Sequence, residues 1–336
     1  VHVFIKSYDD SPYFYRTKRV ESTNLEPIFD AGFARDGSTL YYKGEKLDAD
    51  PSELRYITTE SGAASGYYTD GKSLFMGFYR LDTRYSDETR RICYDAKHDI
   101  EYLFEPKSGA VFANEHKFSA QNMPYSAIYS VDNVHSFWPL FASKDGIYFW
   151  DGGKNEQAKI SDYQLKGELK RLYADVFVDD GLAYFLQQGE EWRRSKHGRH
   201  LEAQTVSLYK FATSSSWREV GLVKDGEYGA VYANGDKVYF FSKIKPFYGI
   251  KHSVYEVADL GVIEILTRAS KELSAKDISE MIKRGELVEV SGEEVARSRI
   301  EYDTPKIILY ITFGIAFVVI VLITLAKPKR DERDLR

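Results

Sequence analysis

Cysteine is almost missing from this chain: Cys93 stands alone among 336 residues. A single thiol excludes an internal disulfide framework and any metal centre built on several thiolates. No Gly-x-Ser-x-Gly elbow, phosphate-cradling glycine loop or His-Glu-x-x-His pair occurs, so no catalytic, cofactor or metal residue is nominated on motif grounds. Charge of one sign is not in excess: 46 Lys and Arg face 51 Asp and Glu, mixed throughout, for a net charge of −5. That leaves no electrostatic footprint for a nucleic-acid partner. The opening residues, Val1 to Lys6, lack a charged start followed by an apolar stretch. They also lack an initiator Met, so an upstream signal peptide or membrane segment is expected to precede them.

One long hydrophobic run is present, at the end. Ile307–Ala326 is twenty residues without a charge, bounded by Pro305-Lys306 and by Lys327-Pro328-Lys329-Arg330. Twenty helical residues rise about 30 Å, the hydrocarbon thickness of a bilayer. The run therefore predicts a single transmembrane helix, with Ile307, Phe313, Phe317 and Leu325 among its anchoring side chains. Five basic residues follow it (Lys327, Lys329, Arg330, Arg333 and Arg336) and three precede it closely (Arg297, Arg299 and Lys306). Basic flanks favour the cytoplasm, which places the tail inside and the body outside. A tail-anchored protein with a cytoplasmic body is the alternative.

The body is rich in aromatics, 26 Tyr and 20 Phe against nine Pro and three Met. Aromatic and β-branched residues suit a pleated, packed surface. They recur in short runs after tight-turn dipeptides. Asp36-Gly37 precedes Leu40-Tyr41-Tyr42, Asp70-Gly71 precedes Leu74-Phe75, and Asp145-Gly146 precedes Ile147 to Trp150. Asp180-Gly181 precedes Ala183-Tyr184-Phe185, and Asn234-Gly235 precedes Val238 to Phe241. A second element, small-apolar-Tyr-charge-apolar, appears at Gly77–Leu81, Ser207–Phe211 and Ser253–Val257, the last two 46 residues apart. A period near 45 suits the blade of a β-propeller. The fold class expected is thus mainly β: a β-propeller-like or other β-repeat body plus one C-terminal transmembrane α-helix. An open β-solenoid or hairpin array is the alternative, since the intervals from Asp36 to Asp70 and from Asp145 to Asp180 are only 34 and 35 residues.

The domain plan that follows is a β-repeat domain over 1–270, a helix and juxtamembrane spacer over 271–306, the membrane helix over 307–326 and a basic tail over 327–336. Within the spacer, Ser274 to Gly285 has an N-cap Ser, Asp277 three residues on, apolar positions 278, 281 and 282, and a terminal Gly, which predict a helix.

The segment Asp36–Tyr56, continued by Gly66–Phe75, resembles bacterial DKNYY-type repeats. The matching positions are Asp36, Tyr41, Tyr42, Gly44, Leu47, Ala49, Asp50, Pro51 and Leu54, with Tyr67 and Asp70 opening the next unit. Asp145–Trp150 and Asp180–Phe185 are weaker echoes. The resemblance is local. It implies a bacterial protein associated with the envelope and transfers no catalytic residue.

Two clusters stand out. Cys93 to Glu101 gathers Asp95, Lys97, His98, Asp99 and Glu101, which reads as a polar hairpin turn; no His pair stands at metal-ligand spacing. Trp192, Arg193, Arg194, Lys196 and Arg199 place four fixed positive charges and an aromatic anchor in one short stretch, with His197 and His200 between and after them. This stretch is expected to form a long loop that binds an acidic partner, lipid headgroups or an anionic polymer. Asp48 with Asp50, and Asp179 with Asp180, lack the ladder of a calcium loop. Trp138-Pro139-Leu140-Phe141 reads as core.

Together these features predict a non-enzymatic, membrane-anchored recognition module. It would sit on the outer face of a bacterial cytoplasmic membrane and bind a protein partner, as an immunity-type protein or an envelope-complex subunit. The alternative is an anchored envelope hydrolase of polysaccharide or peptidoglycan, which needs paired carboxylates converging in a cleft.

Overall fold

The computed structural model describes residues 2–6, 15–19, 24–29, 32–58, 64–130, 138–195, 198–213, 216–244, 253–268 and 273–302. The chain divides into two compact units, residues 1–189 with 205–298, and residues 190–204 with 299–336.

The first unit is a succession of antiparallel meanders. After a two-stranded ribbon, β1 (His2–Lys6) and β2 (Tyr15–Arg19), four-stranded sheets follow one another in chain order. The first holds β3 (Glu26–Pro27), β4 (Phe33–Asp36), β5 (Thr39–Tyr42) and β6 (Glu45–Leu47). The second holds β7 (Arg55–Thr58), β8 (Ala64–Thr69), β9 (Ser73–Met76) and β10 (Tyr79–Arg84). The third holds β11 (Arg90–Asp95), β12 (Ile100–Glu105), β13 (Ala110–Ala113) and β14 (His116–Lys117). The fourth holds β15 (Ser126–Ile128), β16 (Leu140–Ser143), β17 (Gly146–Asp151) and β18 (Glu156–Ser161). The fifth begins β19 (Lys170–Tyr173), β20 (Val176–Val178), β21 (Leu182–Ser195) and β22 (Gly198–Thr213). The sixth has five strands, β23 (Trp217–Val223), β24 (Gly229–Asn234), β25 (Lys237–Ser242), β26 (Val254–Val257) and β27 (Leu287–Glu289). The last strand, β28 (Glu293–Glu301), returns to pair with β22 as the fifth strand of the fifth sheet. Two helices, α1 (Gly261–Thr267) and α2 (Ala275–Lys283), lie between β26 and β27.

The mainly β body stands as expected, and two parts of the expected fold class are corrected. None of the six sheets closes; each ends in two edge strands. Among the described residues no helix is long and apolar enough to cross a membrane, because α1 and α2 have only seven and nine residues. The run 307–326, with Ile307, Phe313, Phe317 and Leu325, lies outside the described residues.

The repeat is also shorter than the sequence suggested. Third strands begin at residues 39, 73, 110, 146, 182 and 237, steps of 34, 37, 36, 36 and 55. The step of 55 follows from the length of β21 and β22, 14 and 16 residues. The spacing of 46 that suggested a longer period runs from within β22 to the residue before β26 and takes in none of β21. The aromatic runs after Asp-Gly and Asn-Gly turns are the third strands β5, β9, β17, β21 and β25. The small-apolar-Tyr-charge element falls on the fourth strands β10, β22 and β26.

Paired aromatics occur because neighbouring sheets pack on both faces of a strand. Successive residues of a strand point to opposite faces. In β8, Tyr67 packs with Leu103 and Phe112 of the third sheet, while Tyr68 packs with Phe33 and Leu40 of the first. Both are fully buried. In β25, Phe241 joins Val176 and Phe185 of the fifth sheet, and Phe240 joins Val262, Leu266, Ile278 and Met281 of the two helices. Burying one such side chain is worth about 2–3 kcal/mol. Ser274 and Asp277 form the expected capping box of α2.

Backbone contact also decides some residues. Gly229 has φ +129°, and a Cβ there would stand 1.9 Å from the Phe241 carbonyl oxygen on the paired strand. Trp138, buried as expected, donates through Nε1 to Ser298 Oγ at 2.7 Å, which ties β28 to the start of the fourth sheet.

Candidate functional site

The central hairpins, between second and third strands, hold Asp70, Glu105 and Asp179, most of the buried carboxylates among the described residues. Asp70 Oδ1 accepts from the amides of Lys72 and Ser73 at 3.0 and 2.7 Å. Glu105 accepts from Ser86 Oγ, Ser108 Oγ and the amides of Lys107 and Ser108. Asp179 accepts from the amides of Lys166, Gly181 and Leu182 and from the Tyr184 phenol. Burial drives the carboxyls of Glu105 and Asp179 upward, yet these donors outweigh it and hold both below the usual carboxylate range. Such groups shape turns.

The cluster Cys93–Glu101 forms the polar hairpin between β11 and β12 that its sequence suggests. Asp95 accepts from the Lys97 amide at 2.9 Å, and its Oδ2 lies 2.6 Å from His98 Nδ1. Tyr94 faces outward and donates to Asp99 at 2.8 Å. Glu101 accepts from the Gly66 amide at 2.6 Å and lies 3.5 Å from Arg91. Asp50 bonds Ser52, and no group of three or more His, Cys, Asp or Glu able to hold a metal occurs among the described residues.

The second unit holds the basic stretch. Trp192, Arg193 and Arg194 lie in β21, and Arg199 and His200 in β22, so the expected long loop is a β-hairpin. Lys196 lies outside the described residues. The charged sequence forms strands because its side chains find partners across them. Arg199 stands over the Trp192 ring with Cζ 5.0 Å from its centroid, and Arg193 lies 3.8 Å from Glu202. Each such exposed contact contributes no more than about 1 kcal/mol. Trp192 remains 43% exposed and Arg194 is exposed beside it.

Below the tip lies a set of residues that the motif reading missed. Glu190 accepts from Trp192 Nε1 at 3.1 Å and from Gln204 Nε2 at 3.4 Å. Glu191 accepts from Arg299 Nε at 3.1 Å, and Arg299 also meets Glu301. The bonds to Glu191 and Glu301 raise the Arg299 guanidinium further above its ordinary value. Tyr302 donates its amide to the Glu202 carbonyl at 2.8 Å and its phenol to Gln204. The adjacent acids Glu190-Glu191, just before the basic stretch, were the available signal in the sequence. The pairing of Glu191 with Arg299, 108 residues later, was not.

The acids of the site are each paired, Glu190 with the Trp192 indole itself, while Arg199 covers the exposed ring and Arg194 stands exposed near it at the tip. Such a surface can hold an anionic partner with one aromatic contact. No family model, no curated protein and no solved structure matches this chain.

Proposed function

We propose that this chain is a membrane-associated, non-enzymatic β-repeat recognition module on the outer face of a bacterial cytoplasmic membrane, with the β21–β22 hairpin as its contact for an acidic partner. One observation carries the reading. Strands of 14 and 16 residues bear an exposed Trp192 beneath Arg199, with Arg193 and Arg194 adjacent. The uncharged run Ile307–Ala326 supports a bilayer location. The DKNYY-like segment 36–75 supports an envelope protein. An immunity-type protein or an envelope-complex subunit are the two forms such a module takes.

The test is affinity capture of the full-length protein from its own membranes in mild detergent, read by mass spectrometry. The same capture is made with Arg193, Arg194 and Arg199 all changed to Gln. A stoichiometric companion is expected with the wild type. If it is lost from the triple variant, the hairpin is the protein contact; if retained, the protein surface lies elsewhere on the module. No companion above background under several growth conditions overturns the recognition reading.

A further inference from the structure

The chemistry of the hairpin's partner can be narrowed. Between Trp192 and His200 the sequence holds Arg193, Arg194, Lys196 and Arg199 and no acid. The nearby acids are each paired: Glu190 accepts from the Trp192 indole N–H, Glu191 accepts from Arg299, and Glu202 lies 3.8 Å from Arg193. Trp192 is an amphipathic ring left 43% exposed among these cations. Indole rings of this kind sit at the headgroup level of a bilayer. Guanidinium forks match phosphate oxygens with two parallel hydrogen bonds.

β28 is antiparallel to β22, so it runs toward the hairpin tip. It reaches Tyr302, whose amide donates to Glu202. From Glu202 the tip at Gly198 is four strand residues away, about 13 Å. From Tyr302 the uncharged run at Ile307 is five residues away, a reach of at most about 17 Å. Tip and run can therefore meet one headgroup layer.

We infer that the hairpin tip docks on an anionic phospholipid surface, with Trp192 at the interface and Arg193, Arg194 and Arg199 on headgroup phosphates. This rests on the bilayer association proposed above. Docking would fix how the body stands on the membrane, through a contact separate from the apolar run.

The test uses the full chain reconstituted in nanodiscs of phosphatidylcholine alone or with phosphatidylglycerol. The emission of Trp192 is obtained as the difference from Trp192→Phe. The expected result is a blue-shifted Trp192 in the anionic discs, quenched by acyl-chain-brominated lipid and reversed by high salt. Each Arg→Gln change at 193, 194 or 199 should lower the docked-to-undocked ratio about five-fold. Identical Trp192 emission in the two disc types overturns the inference. If that occurs while the triple variant still loses its captured companion, the hairpin stands as a protein contact and only the lipid chemistry is wrong. If reconstitution itself fails because the full chain does not enter discs, bilayer association is overturned along with it.

Discussion

The Tyr184 phenol donates to the buried Asp179 carboxylate at 2.7 Å, and the same carboxylate receives the amides that turn the chain into β21. In the fourth sheet Tyr148 likewise donates to Asp145 at 2.8 Å, and there the other donors are the Ser143 hydroxyl and the Asn122 side-chain amide. In both sheets an aspartate of the central turn thus meets a tyrosine early in the third strand, and in the fifth it also organises the turn amides.

Asp179→Asn should cost about 2–4 kcal/mol, because an amide NH₂ replaces one acceptor facing the Lys166, Gly181, Leu182 and Tyr184 donors. Tyr184→Phe should cost only about 1 kcal/mol, since the carboxylate keeps its three amide donors. Urea unfolding with an unchanged m-value measures both. A Phe variant less stable than the Asn variant would contradict the assignment of Asp179 as organiser.

Acid should weaken the body through Asp179 and Glu105. Their folded pKa values lie below ordinary ones, with burial opposing and hydrogen-bond donors prevailing. A depressed folded pKa gives stability that is full above the unfolded value, near pH 4, and is lost as pH falls through the folded value. Urea midpoints should hold steady from neutral pH down to about 5 and fall steeply below about 4. In the double variant Glu105→Gln, Asp179→Asn that acid slope should flatten; an unaltered slope would assign acid sensitivity to other groups.

Gly229→Ala should destabilise by about 3 kcal/mol or more. The added methyl would lie 1.9 Å from the Phe241 carbonyl, and φ +129° is closed to L side chains. A thermal melt reads this directly, and an unchanged Tm would mean that β24 and β25 are not paired as described.

Cys93 should resist thiol reagents in the folded protein. It is 1% exposed, and burial, followed by the nearby Asp95 charge, pushes its thiol up to about 12. Labelling by an aromatic disulfide reagent at mildly alkaline pH should be slow until denaturant is added. Rapid stoichiometric labelling of the native protein would place Cys93 at the surface instead.

Much of the repeat was legible because its turns and aromatic strands use local chemistry. Asp-Gly and Asn-Gly marked five of six central hairpins; the third sheet escaped because Glu105-Pro106-Lys107-Ser108-Gly109 makes the same turn with a glutamate. The period was less legible because the small-apolar-Tyr-charge element falls well inside the long β22 but at the very start of β26, so its spacing of 46 is not a repeat length. Capping around Ser274 placed α2 correctly, a strictly local signal. At the hairpin tip, Trp192 and the arginines were evident as residues, but their strand conformation was not. Charge density masked the pairing of Arg193 with Glu202, and Glu191 with Arg299 joins positions 108 residues apart.

The return of β28 to β22 has a consequence for synthesis. The fifth sheet lacks its outermost strand until residues 293–301 leave the ribosome, after the whole sixth sheet and both helices. Until then, the indole nitrogen of Trp138 waits for Ser298 and the β22 edge stays bare. A nascent chain stalled before Glu293 therefore displays an unfinished edge that the completed protein conceals, a mark by which proteolytic surveillance can tell the two apart.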